Sequence, residues 1–448
     1  MTLALQPYPA YKNSGVEWLG QIPAHWEIRR LKHILCEVNS RSQTGEEQLL
    51  SVSQYTGVTP RQSKIGSDEP DTRAASLVGY KSVSKNDLVV NIMLAWNGSM
   101  GVSHYEGVVS PAYCVYRFKS HVHSWYYHSL LRLPSYKGRI KTSSTGVVES
   151  RMRLYSDDLF CIEALMPPYE EQLAIAHFVD QLDRRVNRLI RIKRRLIELL
   201  NEQKQAVIHS AVTQGLDPDA PKKPSGVDWL GDIPAHWKVT KLKRLARMQS
   251  GDNITAYEIN ESGAYPVYGG NGLRGYTEAY THSGNLVLIG RQGALCGNIN
   301  YASGSFWASE HAVVATPIRP YNELWFGELL RVMNLNQYSQ AAAQPGLAVE
   351  RIQNLAVLFP PYAEQCQIAE NVSVQTADID VATSRTKREI ELIREYRTRL
   401  ITDVVTGKID VRRFVPVSKT AAEWENIEEE IEIDYVDVLG EGEATIDA

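Results

Sequence analysis

The sequence predicts an α+β (mixed α/β) protein built as an internal tandem duplication, in which two strand-rich bodies are separated by two long coiled-coil helices. Three observations support this fold class. A heptad-patterned segment occurs twice, a short tryptophan-containing motif occurs twice, and the segments between them show the β-branched runs and turn residues of strands. With 448 residues, of which 43% are hydrophobic, the chain is long enough for two domains with separate cores.

The first long helix is predicted from Pro167 to about Ala211, a stretch that has no glycine and no proline beyond its first two residues. Apolar residues recur in sevens, which is the pattern of a coiled coil. One seam position holds Val179, Val186, Leu200 and Val207, and the other holds Leu182, Leu189 and Leu196. About 40 residues at 1.5 Å each make a rod of roughly 60 Å, which needs a partner helix to cover its seam.

The chain supplies that partner after Pro360. At a constant offset of 193 residues, the first seam position falls on Val372, Ile379, Ile393 and Leu400. The interruption at Lys193 recurs at Thr386, and the second seam position is weaker in this copy. The strings PPYEEQ and PPYAEQ precede the two helices at the same place, which indicates a duplication rather than two unrelated amphipathic helices.

A second repeat supports the duplication. The segment SGVEWLGQIPAHWEIRRLKHI (14–34) returns as SGVDWLGDIPAHWKVTKLKRL (225–245), with 13 of 21 residues identical. We expect His25 and His236 in this motif to pack rather than bind metal, because no cysteine, aspartate or second histidine follows at ligand spacing.

These repeats define six predicted segments. They are an N-terminal arm (1–13), a first body (14–166), a central helix (167–213), a second body (214–359), a C-terminal helix (360–410) and an acidic tail (411–448). The net charge of −4 is an average over unlike parts: residues 411–448 hold 11 acidic and 3 basic residues, a net of −8, which leaves +4 for residues 1–410.

Catalytic patterns are missing from the sequence. It has no GxxxxGK[ST] loop, no GxSxG or HExxH motif, and its five cysteines form no CxxC pair. Adenine and cytosine amino-methyltransferases place Asp or Asn before Pro-Pro-Tyr/Phe, whereas Met166 and Phe359 occupy that place here. We therefore expect a binding protein that is not an enzyme and has no cofactor of its own. With no secretory or membrane-length apolar segment, we expect a soluble, cytoplasmic protein that contacts no membrane.

Polar loops on the two bodies carry the candidate DNA-binding residues. Arginine and asparagine suit bidentate contacts to base edges, and lysine suits phosphate contacts. The candidates are Arg61, Lys64, Arg73, Asn97, Arg139 and Lys141 in the first body, and Asn271, Arg274, Arg291 and Gln292 in the second. For Arg291 a structural alternative stays open, in which it forms an ion pair with Glu310.

The alternation of unlike bodies with repeated helices, PPYEEQ/PPYAEQ entries and WLGxIPAHW motifs closely resembles the specificity subunits of type I restriction-modification enzymes. The resemblance covers nearly the whole chain except the arm and the acidic tail. It implies two target-recognition domains of mixed α/β structure on an antiparallel coiled-coil spacer. It also implies binding to a bipartite site in double-stranded DNA, and to two methyltransferase and two restriction-translocase subunits. S-adenosylmethionine, ATP and Mg²⁺ would be bound by those partners.

Two other functions remain open on the sequence alone. One is a scaffold or adaptor that binds proteins only, and the other is a DNA methyltransferase in its own right. Neither the recognised bases nor the length of the gap between the half-sites follows from the sequence.

Overall fold

A computed structural model describes residues 6–61, 76–146, 148, 152–227, 230–293, 295–339 and 346–413. Its contacts divide the chain into two compact units, Met1–Ile190 with Glu391–Ala448, and Arg191–Ile390. Each unit contains one strand-rich body and one end of both long helices. None of the described helices is long and apolar enough to cross a membrane.

The first unit is built from twelve described strands and three short helices, followed by the first long helix. The strands are β1 (Tyr11–Asn13), β2 (Gln21–Pro23), β3 (Glu27–Arg30), β4 (Leu35–Val38), β5 (Leu50–Ser53), β6 (Gly57–Pro60), β7 (Lys81–Val83), β8 (Leu88–Asn91), β9 (Met100–Val102), β10 (Gly107–Val109), β11 (Tyr113–Phe118) and β12 (Glu163–Met166). The helices are α1 (Ser124–Leu131), α2 (Pro134–Ser143), α3 (Ser156–Cys161) and α4 (Tyr169–Gln214). Pro134 separates α1 from α2 because its fixed φ suits the first turn of a new helix.

A four-stranded antiparallel sheet in the order β4-β11-β8-β9 forms the centre of this unit. The large aromatic side chains of α1 and α2, among them Tyr126, Tyr127 and Tyr136, are fully buried in the main core of the unit. A smaller apolar cluster joins the β5-β6 hairpin and the two-stranded β7-β10 sheet to the central sheet through residues such as Val52, Val89 and Val115. Sheet residues are apolar on both sides because both sides are covered.

The second unit repeats this plan with different outer strands. Its strands are β13 (Lys222–Pro224), β14 (Asp232–Pro234), β15 (Lys238–Lys241), β16 (Ala246–Ser250), β17 (Tyr265–Gly269), β18 (Gly272–Thr277), β19 (His282–Ser283), β20 (Leu286–Gly290), β21 (Ile299–Ala302), β22 (Ser305–Ala308), β23 (Ala312–Pro317) and β24 (Ala356–Phe359). Its helices are α5 (Glu323–Val332), α6 (Val349–Ile352) and the second long helix, α7 (Tyr362–Val405).

The central sheet of the second unit has the order β16-β23-β20-β21, which matches the first unit strand for strand. Trp325 and Phe326 of α5 are buried in its main core. A second sheet, β18-β17-β22-β19, packs through Tyr268 and Phe306 against Leu288. The glycine-rich stretch YPVYGGNGLRGYTEAY, which the sequence presents as a loop, therefore contains the hairpin β17-β18.

The two long helices pair antiparallel, as expected. In the first unit the Arg397 guanidinium binds the Asp183 carboxylate (Nε–Oδ1 2.7 Å). In the second unit Lys193 binds Glu389 (Nζ–Oε2 2.5 Å), and Lys204 binds Asp380 (Nζ–Oδ1 2.6 Å). Residue numbers that rise along α4 meet numbers that fall along α7, which defines the antiparallel direction.

The first seam position predicted for the coiled coil is confirmed, and the second one is wrong. Val179 and Val186 are buried at the first position of α4, and so are Val372, Ile379 and Leu400 on α7.

At the second position Leu189 and Leu196 are 42% and 43% exposed, although Leu182 packs against the core. The half-buried Ile190 and Ile197, one residue later, occupy the seam instead. Ile190 follows Val186 of the first seam position by four residues. On α7, the residues four positions after Val372, Thr386 and Leu400 are the buried Thr376, Ile390 and Val404.

Candidate nucleic-acid interface

Glu171 of the PPYEEQ string holds the tryptophan-containing motif of the first unit against the start of α4. Its buried carboxylate accepts hydrogen bonds from Trp26 Nε1 (2.8 Å) and the Tyr8 hydroxyl (3.0 Å). The His25 Nε2 atom lies 2.6 Å from its other oxygen. Burial, followed by the Glu171 charge, raises the pKa of the Tyr8 phenol far above its usual value.

The second unit repeats this arrangement around Glu364 of the PPYAEQ string. Trp237 Nε1 donates to Glu364 (3.0 Å), and His236 Nε2 lies 2.8 Å from the same carboxylate. The histidines thus have the packing role expected of them, with a carboxylate partner. We call the two groups the Glu171 cluster (Tyr8, His25, Trp26, Glu171) and the Glu364 cluster (His236, Trp237, Glu364).

The glutamine that follows each of these glutamates fixes the helix entry to the body. Gln172 donates to the Pro167 carbonyl (2.8 Å) and accepts from the backbone N–H of His123 (2.9 Å). In the second unit Gln365 donates to the Pro360 carbonyl (2.9 Å) and accepts from the Asn322 N–H (3.0 Å). Sequence reasoning missed these roles, although the repetition of Glu-Gln after both Pro-Pro-Tyr strings is the signal that could have indicated them.

The candidate residues of the second unit come together at one edge of its central sheet. Asn271 lies exposed in the turn between β17 and β18, and Arg274 follows on β18. Arg291 and Gln292 follow the end of β20.

Close packing of glycine backbones joins these two segments. A Cβ at Gly270 would lie 3.6 Å from Gly290 Cα, and one at Gly290 would lie 2.5 Å from the Gly270 carbonyl oxygen. Their glycines therefore let two protein backbones meet and present Asn271 beside Arg291.

Arg291 is not engaged in the ion pair that was the structural alternative. The Glu310 carboxylate instead lies 3.0 Å from Nε2 of His311, whose Nδ1 lies 3.0 Å from the Gln292 amide oxygen. Two backbone hydrogen bonds hold Arg291 in place. Its N–H donates to the His311 carbonyl (2.8 Å), and the Arg291 carbonyl accepts from the Leu347 N–H (2.9 Å). Among the described residues its guanidinium has no hydrogen-bond or ion-pair partner.

Two further residues near this edge were not among the sequence candidates. The half-buried His311 side chain lies between the Gln292 amide oxygen and the Glu310 carboxylate. Tyr257 is 98% exposed on a 3-10 turn whose N-terminal end is capped, because the Thr255 N–H and hydroxyl both donate to the Glu258 carboxylate. The loop that leads to Tyr257 starts at Asp252, which pairs with Ser309 at the same edge. An exposed aromatic ring on a capped turn is suited to contact a base or sugar.

In the first unit, the corresponding edge carries Asn97 and Lys141. Asn97 lies in the turn after β8, where its amide oxygen accepts from the Ser99 N–H (3.0 Å) and hydroxyl (2.8 Å). Lys141 of α2 places its ammonium 5.5 Å from the centre of the Trp96 ring. The turn and α2 pack together, and so the structure brings Asn97 and Lys141 to one surface.

The remaining candidates of the first unit are dispersed. Arg139 contacts the Glu163 carboxylate (Nη2–Oε2 3.6 Å), which reduces its availability for phosphate. Arg61 is exposed at the end of the β5-β6 hairpin. Burial raises the pKa of the Tyr113 phenol, and the positive charge of Arg61 offsets part of this rise. Lys64 and Arg73 lie outside the described residues. Among the described residues no group of three or more His, Cys, Asp or Glu side chains could hold a metal ion.

Comparisons with known proteins agree with this architecture. Residues 234–392 match the family model of the type I restriction modification DNA specificity domain. The EcoprrI specificity subunit of Escherichia coli is 46% identical over 132 residues, which are 29% of this chain and 33% of that protein, so the match spans about a third of its length.

Two longer matches extend the comparison. The type I restriction enzyme MjaVIII specificity subunit of Methanocaldococcus jannaschii is 21% identical over 431 residues, which cover 88% of this chain and 95% of that one. A chain from a solved type I restriction-modification system shares the fold, with a TM-score of 0.65 at 14% identity over 86% of this chain and 98% of its own. By these matches, residues 234–392 are similar to the type I specificity domain, and the chain as a whole is similar to type I restriction-modification specificity subunits.

Proposed function

We propose that this chain is the DNA-specificity subunit of a type I restriction-modification complex and reads a bipartite site in double-stranded DNA, one half with each unit. The proposal rests on one contrast: the two units share their central sheets and helix entries, but the loops at the sheet edges differ. The two central sheets share their strand order and the two helix entries share their hydrogen bonds. The loops at the corresponding sheet edges differ in sequence and in structure, as expected of two readers of unlike sequences.

The side chains at these edges suit DNA. The unpaired Arg291 guanidinium, the exposed Asn271 amide and Gln292 can form the bidentate contacts by which arginine reads guanine, and asparagine or glutamine reads adenine. Lys141 and Arg274 add positive charge for phosphate contacts that position the chain on the duplex.

The long helices offer a surface for the partner subunits. Leu189, Ile192, Leu196 and Leu199 of α4 point away from α7 and are 42–57% exposed. Their spacing places them on one helix face, which suits an apolar stripe of a partner helix. We assign this face to the methyltransferase subunits. In this proposal two methyltransferase and two restriction-translocase subunits supply the chemistry, with S-adenosylmethionine, ATP and Mg²⁺ bound by them, and this chain is not an enzyme.

The two Pro-Pro-Tyr strings do not support a methyltransferase site in this chain. Met166 and Phe359, which stand where the catalytic Asp or Asn of that motif would be, are the last residues of β12 and β24 and pair with β3 and β15. The prolines begin helices, and the backbone carbonyls of Pro167 and Pro360 are held by Gln172 and Gln365.

The test is to select duplexes from a random library with this chain co-expressed with a type I methyltransferase subunit that assembles with it. The proposal predicts enrichment of a split sequence and an affinity that falls steeply with salt, since phosphate contacts release counterions. A triple variant with Asn271, Arg274 and Arg291 changed to alanine should lose selection of one half only. No enrichment and no salt dependence would favour the protein-only scaffold and contradict the proposal.

A further inference from the structure

A cleft of about 390 Å³ opens in the first unit, at the sheet edge opposite the one that carries Asn97. It lies before the start of β8, whereas Asn97 follows the end of that strand. Its walls combine cationic side chains with aromatic rings. They include Lys85, Asp87, Arg117, Lys119, Trp125 and Tyr169. We call this site the basic cleft.

The charges in the basic cleft are only partly balanced. Arg117 binds the buried Asp87 carboxylate through Nε (3.0 Å) and Nη2 (3.1 Å), yet its side chain remains 52% exposed. Lys119 donates to the Lys32 carbonyl (2.8 Å), which leaves its charge uncompensated. The exposed Lys85 ammonium has no ion-pair partner among the described residues. Three cations and one carboxylate give the cleft a net charge of +2 and make it attractive to an anionic segment.

The equivalent place in the second unit lacks these cations, and backbone bonds establish which residues correspond. The Lys119 N–H donates to the Ile34 carbonyl (2.9 Å), just as the Ile318 N–H donates to the Leu245 carbonyl (2.8 Å). Ile34 and Leu245 are themselves equivalent in the duplicated tryptophan-containing motif. Ile318 therefore occupies, in the second unit, the position that Lys119 has in the first.

The same comparison applies to the other two cations. Arg117 is two residues before Lys119 and corresponds to Thr316 on β23. Lys85 precedes Asn86, which has a φ of 69°, and Ser283 precedes Gly284, which has a φ of 109°. The second unit thus has serine, threonine and isoleucine where the first has three cations. Because the scaffold is shared, the basic cleft is an addition specific to the first unit.

The C-terminal segment leaves the described structure near the first turn of α4, the helix whose first residue, Tyr169, lines the cleft. Arg412 stacks on the Tyr8 ring at 5.0 Å, and the Tyr8 hydroxyl lies 3.0 Å from Glu171, two residues after Tyr169 of the cleft wall. The 35 residues that follow Arg413 lie outside the described residues. Their sequence from Glu423 to Asp437 (EWENIEEEIEIDYVD) has eight acidic residues and no basic one, interleaved with Trp, Ile, Val and Tyr.

We propose that the acidic segment Glu423–Asp437 of this chain docks in the basic cleft of its own first unit. Its carboxylates match the uncompensated charges of Lys85 and Lys119, and its apolar side chains match the exposed ring of Tyr169 and the half-buried ring of Trp125. The nine residues between Arg413 and Glu423 can span up to about 30 Å when extended, which is ample for the short path past Tyr8. Only the unit from which the segment emerges has these three cations, and the segment is tethered to that unit, so we expect the contact to form within one molecule.

Zero-length carbodiimide cross-linking of the full-length chain tests the proposal directly, because this reagent joins a lysine amine only to a carboxylate in contact with it. We expect peptides that link Lys85 or Lys119 to Glu423–Asp437, formed within one molecule when isotope-labelled and unlabelled chains are mixed. Raising the salt to about 0.5 M should reduce their yield several-fold by screening. Lys85→Gln should reduce the Lys119 cross-link several-fold, whereas Lys243→Gln, at an exposed lysine of the second unit, should leave it unchanged.

Three results would overturn the proposal. Cross-links spread evenly over exposed lysines would indicate a segment with no preferred site. Links found only between labelled and unlabelled chains would assign the cleft to a second copy. No links at Lys85 or Lys119 in the isolated chain would leave the cleft free for an acidic segment of another protein.

Discussion

Removing the Glu171 carboxylate should destabilise the first unit more than the matched change at Glu364 destabilises the second. Glu171 is 7% exposed and holds two buried donors, Trp26 Nε1 and the Tyr8 hydroxyl, together with His25. Each buried donor left without a partner costs about 1–3 kcal/mol, so Glu171→Ala should lower the unfolding free energy by about 3–5 kcal/mol.

The Glu364 cluster provides the matched comparison within the same chain. The Glu364 side chain is 22% exposed, and among the described residues its partners are His236 and Trp237, with no counterpart of Tyr8. Because water can replace part of these bonds, Glu364→Ala should cost only about 1–2 kcal/mol. Glu171→Gln, which retains one acceptor oxygen, should fall between the two alanine variants.

Hydrogen exchange during urea titration is the suitable assay, because the two units need not unfold together. Amides of residues 14–34 report on the Glu171 cluster, and those of residues 225–245 report on the Glu364 cluster. Equal losses in the two variants, or a loss below about 0.5 kcal/mol for Glu171→Ala, would refute the assignment of Glu171 as the main tie between body and helix.

Four other predictions concern spacing, modularity, base contact and pH. Deleting one heptad from each long helix, Leu189–Arg195 with Ala382–Arg388, should shorten the gap in the recognised site by about 10 Å or three base pairs and keep both half-sites; an active variant with an unchanged gap would exclude the ruler role. Exchanging residues 36–160 for those of another family member should change one half-site, and a change in both would contradict independent reading. Arg291→Ala should weaken binding by about 1–3 kcal/mol and relax one position of the second half-site; lower thermal stability with unaltered preference would show that Arg291 only braces the loop. Burial lowers the pKa of the His128 imidazole to about 3. The contribution of His128 to the stability of the folded chain is therefore complete above about pH 6.5, and the unfolding free energy falls as pH drops toward 3, by about 2 kcal/mol at pH 5. His128→Asn should flatten this part of the pH–stability profile, and an unchanged slope would assign it to other groups.

The duplication and the helix pair could be predicted from the sequence because both depend on patterns that repeat along it. The seam was predicted only in part. In the first helix Leu189 and Ile190 are both apolar, as are Leu196 and Ile197, so the heptad pattern fits either choice of second position. The packing of α4 against α7 decides between them, and that packing is not encoded in the periodicity of one helix.

The contacts of Glu171 could not be predicted because they join segments far apart in the chain. Trp26 and Glu171 are separated by 145 residues, and each belongs to a motif that is repeated for reasons the sequence does not show. The glycine-rich turn of the second body suggests an approach of its backbone to DNA, which stays a prediction, whereas the structure shows the backbone of Gly290 close to Gly270. A glycine permits close approach by either a protein backbone or DNA, and the sequence alone does not show which of the two is near it.

The most direct test of bipartite recognition is to map adenine methylation in cells that express this chain with a type I methyltransferase subunit that assembles with it. The proposed function predicts a split motif with two specified halves and a gap of fixed length, in which the Arg291→Ala variant changes one half only. A continuous motif, or methylation that is independent of this chain, would contradict it.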